Sequence, residues 1–132
     1  MAPENLKYTK THEWVKLEGE TARFGLSDFA VTQIKDIVFL DLPAVGVAIR
    51  GGEPFGAVET VKAAFDLYAP VSGTVKAVNA DLAAHPEAVS SDSYGSGWLV
   101  DVCVVEDQAG REAAGLMDAC AYEEHCGKEA KH

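Results

Sequence analysis

Strand-forming segments alternate with turn signals at roughly 8–12-residue spacing through most of this chain, and that rhythm limits it to short antiparallel strands in a sandwich or barrel. The segment EWVKLEGETARFG (residues 13–25) reads as two strands around Gly19, with Ala22 and Phe24 on one face of the second. DIVFLDLP (36–43) is a continuous apolar run, which predicts a strand buried on both faces and stopped by Pro43. In GWLVDVCVVE (97–106), Trp98, Val100, Val102 and Val104 recur at period two, so they are expected to share the buried face, with Cys103 and Asp101 opposite. Between these lies GEPFGAVETVKAAFDLYAPVSGTVKAV (52–78), punctuated by Pro54, Gly56, Pro70 and Gly73.

Three helical pieces interrupt the pattern. Ser27 is placed to cap a short helix through SDFAVTQIKD (27–36), with Phe29, Ala30 and Ile34 facing the core. ADLAAHPEAV (80–89) reads as a helical turn interrupted at Pro86. GREAAGLMDACAYEEHC (110–126) carries Ala113, Leu116, Met117, Cys120 and Tyr122 at helical spacing and is expected to dock as one terminal helix. Residues 127–132, GKEAKH, have nothing to bury and read as a frayed tail. A chain of 132 residues is one domain's worth, 1–132 with its core over about 7–125, and at this length it needs no disulfide staple.

Charge narrows the partners. With 21 acidic against 11 basic side chains the net charge is −10, a field that repels nucleic acid and favours solubility and basic protein partners. No apolar run approaches the roughly 18 residues of a membrane span, and the start, MAPENLKYTKTHEW, has neither the apolar middle of a signal peptide nor a matrix presequence. Cys103, Cys120 and Cys126 are odd in number and lack paired spacing, which fits a reducing compartment, cytoplasm or mitochondrial matrix.

Lys62 stands out within ETVKAAFDLYAPVSG (59–73), a single cation in a strand-forming, apolar run. Two uses fit it. It is either an ordinary edge lysine that keeps its ammonium in water, or a tether at a hairpin tip whose acylation would turn a point charge into a long neutral arm. Other clusters are poorer. Cys120, His125 and Cys126 lack a fourth ligand and a usual zinc spacing, Cys103 has no base beside it, and His12 and His85 read as structural or solvated. VSGTVKAVN lacks the spacing of a phosphate loop.

Five blocks, KYTKTHEWV, ARFGLSDFA, DIVFLDLPAVG, GEPFGAVETVKAAFDLYAPVSGTVKAVN and SYGSGWLVDV, together resemble the H-protein of the glycine cleavage system, in order and across nearly the whole chain. The resemblance implies a two-sheet antiparallel sandwich of the lipoyl and biotinyl carrier type, with short peripheral helices. It implies a non-catalytic carrier with lipoate on Lys62, the lysine of the family's E-[ST]-V-K-A motif, and Glu59 as a recognition residue for a lipoyl-attaching enzyme. In such a system a pyridoxal-phosphate glycine decarboxylase loads an aminomethyl group, a tetrahydrofolate-dependent aminomethyltransferase removes it, and dihydrolipoamide dehydrogenase reoxidises the arm. A hydroxyl residue and a glutamate beside H-E-W and an aspartate after the lysine line the family's cleft for the loaded arm. The matching residues are Thr11, Glu13 and Asp66, suited to hold a protonated amine away from water. Phe65, before Asp66, stands where the family has a small polar residue. A lipoyl relay protein, which hands its acyl group to other carriers, and an unmodified interaction module of the same fold are the alternatives. The flanking methionines of a biotin carrier are missing.

Overall fold

The computed structural model describes residues 6–27, 30–31, 37–86, 88–91, 93–95 and 97–130. Among these, nine strands form two antiparallel sheets. The strands are β1 (Lys7–Tyr8), β2 (Glu13–Glu18), β3 (Thr21–Leu26), β4 (Ile37–Asp41), β5 (Ala48–Ile49), β6 (Pro54–Thr60), β7 (Ala64–Tyr68), β8 (Gly73–Val78) and β9 (Val100–Cys103). The larger sheet runs β1-β2-β3-β9-β8-β5 and the smaller β4-β6-β7. Of the sandwich and the barrel that the turn spacing allows, the chain forms the two-sheet sandwich that the resemblance implies.

Between the sheets lies one apolar core that includes Val15, Phe24, Val58, Leu67, Val75 and Val102. Ala22 and Phe24 share its face of β3, as their spacing predicts, and Gly19 turns β2 into β3 at a φ of 61° that glycine adopts without a Cβ clash. A second, smaller cluster of Leu6, Tyr8, Trp14 and Tyr122 covers the opposite face of the large sheet at its β1–β2 end. Trp14 and Val15 are neighbours in sequence and belong to different clusters because successive strand residues point to opposite faces.

The short helices are α1 (Asp81–Ala84), α2 (Ala88–Ser91), α3 (Glu106–Ala114) and α4 (Ala119–Ala130). The break expected at Pro86 separates α1 from α2. Ser27 Oγ accepts a bond from the Ala30 amide at 3.2 Å, and Ala30 is buried, as a capped helix requires. Phe29 and Ile34 lie outside the described residues.

Three expectations need correction. The run in β4 is not buried on both faces: Val38 and Phe39 are 55 % and 52 % exposed, because β4 is an edge strand and no described residue covers its outer face. Trp98 does not join Val100, Val102 and Val104 in the main core. The strand begins only at Val100, Leu99 fills the main core, and the Trp98 ring lies against the Arg23 guanidinium on the other side. The single terminal helix is two, α3 and α4, interrupted at Gly115. Met117 is spent between them, exchanging backbone bonds with Tyr8 at 2.8 and 3.0 Å, an alternative to helix that apolar periodicity does not register. Helix α4 continues through Ala130, into the 127–132 segment that was expected to fray.

Candidate functional site

Lys62 occupies the tip of the β6–β7 hairpin. Glu59 pairs with Ala64 at the end of the ladder, and the Thr60 amide reaches the Ala63 carbonyl at 2.8 Å, leaving Val61 and Lys62 as the connection. Thr60 also supplies the tip's side-chain order. Its Oγ1 accepts the Lys62 and Ala63 amides at 3.3 and 3.1 Å and donates to the Ala63 carbonyl at 3.1 Å. Threonine suits both tasks, since its hydroxyl serves a turn while its branched Cβ suits the strand end. Lys62 is exposed, and its ammonium makes no hydrogen bond or ion pair among the described residues.

Register sorts the flanking residues. Phe39, Glu59 and Ala64 stand opposite one another on the outer face of the small sheet, and Asp41, Ala57 and Asp66 form the next row. Phe65 pairs with Val58 on the other face, so its ring does not stand on Asp66's side of the strand. Glu59 and Asp66 are exposed carboxylates.

Glu13 differs from both. It is 1 % exposed, although it is a carboxylate at the start of a strand. Its Oε1 accepts the hydroxyls of Thr9, at 2.6 Å, and of Thr11, and its Oε2 accepts the Tyr68 amide at 3.2 Å. Strand β7 has β6 on one side only, so its outward amides need acceptors elsewhere, and Glu13 supplies one from the other sheet. Burial pushes the Glu13 carboxyl above its ordinary range, and the bonds from Thr11, Thr9 and Tyr68 oppose but do not cancel that shift.

A cleft of about 430 Å³ opens in front of these groups, lined among others by Tyr8, Thr9, Thr11, Tyr68, Pro70 and Met117. The structure therefore joins Thr11 and Glu13 directly, with Thr11 at the cleft and Glu13 behind the two hydroxyls. Asp66 does not line this cleft and lies two residues before Tyr68 on the same strand. Thr9, Thr60 and Tyr68 are additions. Thr9 and Thr60 had a signal, a hydroxyl beside a turn, whereas Tyr68 acts through its backbone, which no side-chain motif reveals. Chemically, the arrangement offers a free primary amine on a fixed tip and, separately, a dry carboxylate reached through hydroxyls.

The family model for the glycine cleavage H-protein matches residues 6–129. Glycine cleavage system H proteins from Thermosynechococcus vestitus and Mycobacterium avium are 56 % and 53 % identical to this chain over 102 and 113 residues. These alignments cover 77 % and 85 % of this chain and 80 % and 85 % of the relatives. The crystal structure of a glycine cleavage system H protein from Mycobacterium marinum superposes with a TM-score of 0.83 at 32 % identity, covering 98 % of this chain and 99 % of the other.

Proposed function

The chain belongs to the glycine cleavage H-protein family, and on that premise we propose that Lys62 is the residue to which its lipoyl group is attached. The family is a lipoyl carrier of the glycine cleavage system and not one of its catalysts, and so is this chain. The observation that carries the assignment is the tip itself. Lys62 is exposed and makes no ion pair among the described residues, and its backbone is held by Thr60, which suits an amine presented repeatedly in one place. Lipoate attached there supplies a dithiolane that cycles between disulfide and dithiol as a two-electron couple.

The remaining residues divide the carrier's own work. Thr60 fixes the tip and so limits where the arm begins. Exposed Glu59, in the strand leading to the tip, is the recognition residue for the lipoyl-attaching enzyme. Thr11 and Glu13 offer the cargo's protonated amine a hydroxyl and a carboxylate shielded from water, where charge-assisted hydrogen bonds are strong. Asp66 contributes a second carboxylate from the outer face of β7. The partners are glycine decarboxylase, aminomethyltransferase and dihydrolipoamide dehydrogenase. The whole chain acts as one carrier domain, and the bacterial relatives favour the cytoplasm over the mitochondrial matrix as its place of work.

Intact mass of the protein from its native source tests the assignment. A lipoyl increment is expected, and expression of Lys62→Arg in the same host should abolish it. An unmodified wild-type chain, or an increment that survives Lys62→Arg, would overturn the assignment.

A further inference from the structure

Residues 8–13 alternate between two surroundings. Tyr8 stacks on Tyr122 with ring centroids 4.5 Å apart, the Lys10 carbonyl lies 3.1 Å from His125 Nε2, and His12 Nδ1 lies 2.8 Å from the Tyr122 hydroxyl. All three contacts are with α4. The residues between them, Thr9 and Thr11, turn the other way and converge on the carboxylate of Glu13 that follows.

Regular strand geometry does not account for this alternation, because β1 ends at Tyr8 and β2 begins at Glu13. The intervening chain is a tight loop, closed by the Thr9 amide on the Glu13 carbonyl at 2.9 Å and the His12 amide on the Thr9 carbonyl at 3.2 Å. At its turn His12 has a φ of 74°, the one left-handed residue other than glycine among the described residues. That conformation costs about 1–2 kcal/mol for a residue with a Cβ, so surrounding contacts must hold it. The holders are identifiable. The His12 carbonyl accepts the Ser27 amide at 3.0 Å, the His12 ring meets the Tyr122 hydroxyl, and the same hydroxyl bonds Ser27 Oγ. One buried phenol thus ties the strained residue and its backbone partner Ser27 to α4.

We propose that Tyr122, supported by His125, is a positioning residue for the Thr9–Thr11–Glu13 site: α4 clamps His12 and Lys10 and thereby holds the loop in the shape that brings both hydroxyls onto the buried carboxylate. The consequence for the carrier rests on the role proposed above for Thr11 and Glu13, but the clamp belongs to the lipoate-free chain and is tested there. An unmodified Lys62 would end the attachment reading and leave the clamp standing.

Amide hydrogen exchange measured by NMR on the lipoate-free protein reads the clamp, because the Tyr68 amide is bonded to Glu13 Oε2 and the Glu13 amide to Thr9 Oγ1. Tyr122→Phe keeps the ring on Tyr8 and removes only the hydroxyl. Exchange at Tyr68 and Glu13 is expected to rise about tenfold, the scale of one lost hydrogen bond, with Val75 and Val102 in the main core unchanged. A uniform rise at all four amides, or none at Tyr68, would reduce Tyr122 to a packing residue and overturn the proposal. His125→Ala, at a half-exposed position, keeps the test available should Tyr122→Phe fail to fold. It is expected to raise exchange at Tyr68 about threefold, and no rise would count against the clamp. Glycine at position 12 adopts the left-handed backbone freely. In a His12→Gly background, Tyr122→Phe should therefore leave Tyr68 exchange unmoved, and an undiminished effect there would refute action through His12.

Discussion

An ionised carboxylate taken out of water loses several kcal/mol of solvation unless nearby groups replace it, and Glu13 meets that condition with three donors, the Thr9 and Thr11 hydroxyls and the Tyr68 amide. Replacement is incomplete, because burial still raises the carboxyl above its ordinary value of 4.5. The sign for stability follows from proton counting. Over the window between the ordinary and the raised value the folded chain holds a proton that the unfolded chain has released. Glu13 therefore contributes stability that is fully present below 4.5 and is lost as pH rises through the raised value. Urea unfolding of wild type and Glu13→Gln between about pH 4 and pH 7 should show the wild type losing stability relative to the variant as pH increases. Parallel pH profiles would mean that Glu13 titrates as it does in the unfolded chain. Glu13→Ala, which strips the Tyr68 amide of its acceptor on a strand edge, is expected to cost about 1–3 kcal/mol in the same assay.

The β6–β7 hairpin sets where the lysine amine stands, and its order at the tip comes from one hydroxyl. Thr60→Ala removes three bonds at an exposed turn, so the global cost should be small, about 0.5–1 kcal/mol. The larger effect belongs to presentation, since a tip that samples more conformations must be reordered whenever an enzyme engages it. Lipoyl attachment, followed by intact mass with a purified attaching enzyme, is expected to slow about fivefold in Thr60→Ala and to recover in Thr60→Ser. Equal rates for all three proteins would confine Thr60 to turn stability. This hairpin was legible in the sequence because Pro54, Gly56, Pro70 and Gly73 bound two strand-forming runs, and the resemblance singled out its lysine. The same resemblance pointed to Thr11 and Glu13, which their residue types alone would have left as an ordinary strand start and a solvated charge. What could not be read there was the burial of Glu13, which depends on an edge amide 55 residues away, and the exposure of Phe39, which depends on the outer face of β4 having no cover among the described residues. The split between α3 and α4 escaped for a related reason: Leu116 and Met117 continue the helical period, yet the Met117 backbone is committed to Tyr8.

At the scale of the molecule, strand β2 joins the two apolar clusters, since Val15 enters the core between the sheets and Trp14 the cluster beneath α4. The joint has little slack. Trp14 pairs with Gly25 across the ladder, and a Cβ at position 25 would overlap the Trp14 ring, whose Nε1 is also fixed to the Ser93 carbonyl at 3.0 Å. Gly25→Ala must therefore displace a buried indole or bend β3, at about 1–3 kcal/mol. Because both clusters share β2, the damage should not stay local. Tryptophan fluorescence and far-UV circular dichroism, followed together through urea unfolding, are expected to report one coincident transition in wild type and in Gly25→Ala, shifted to lower urea in the variant. An earlier fluorescence transition in either protein would instead separate the cluster beneath α4 from the sandwich. The Thr9–Thr11–Glu13 site, held from that side of the sheet, would then open before the fold does, and shelter for the cargo would have a stability limit of its own.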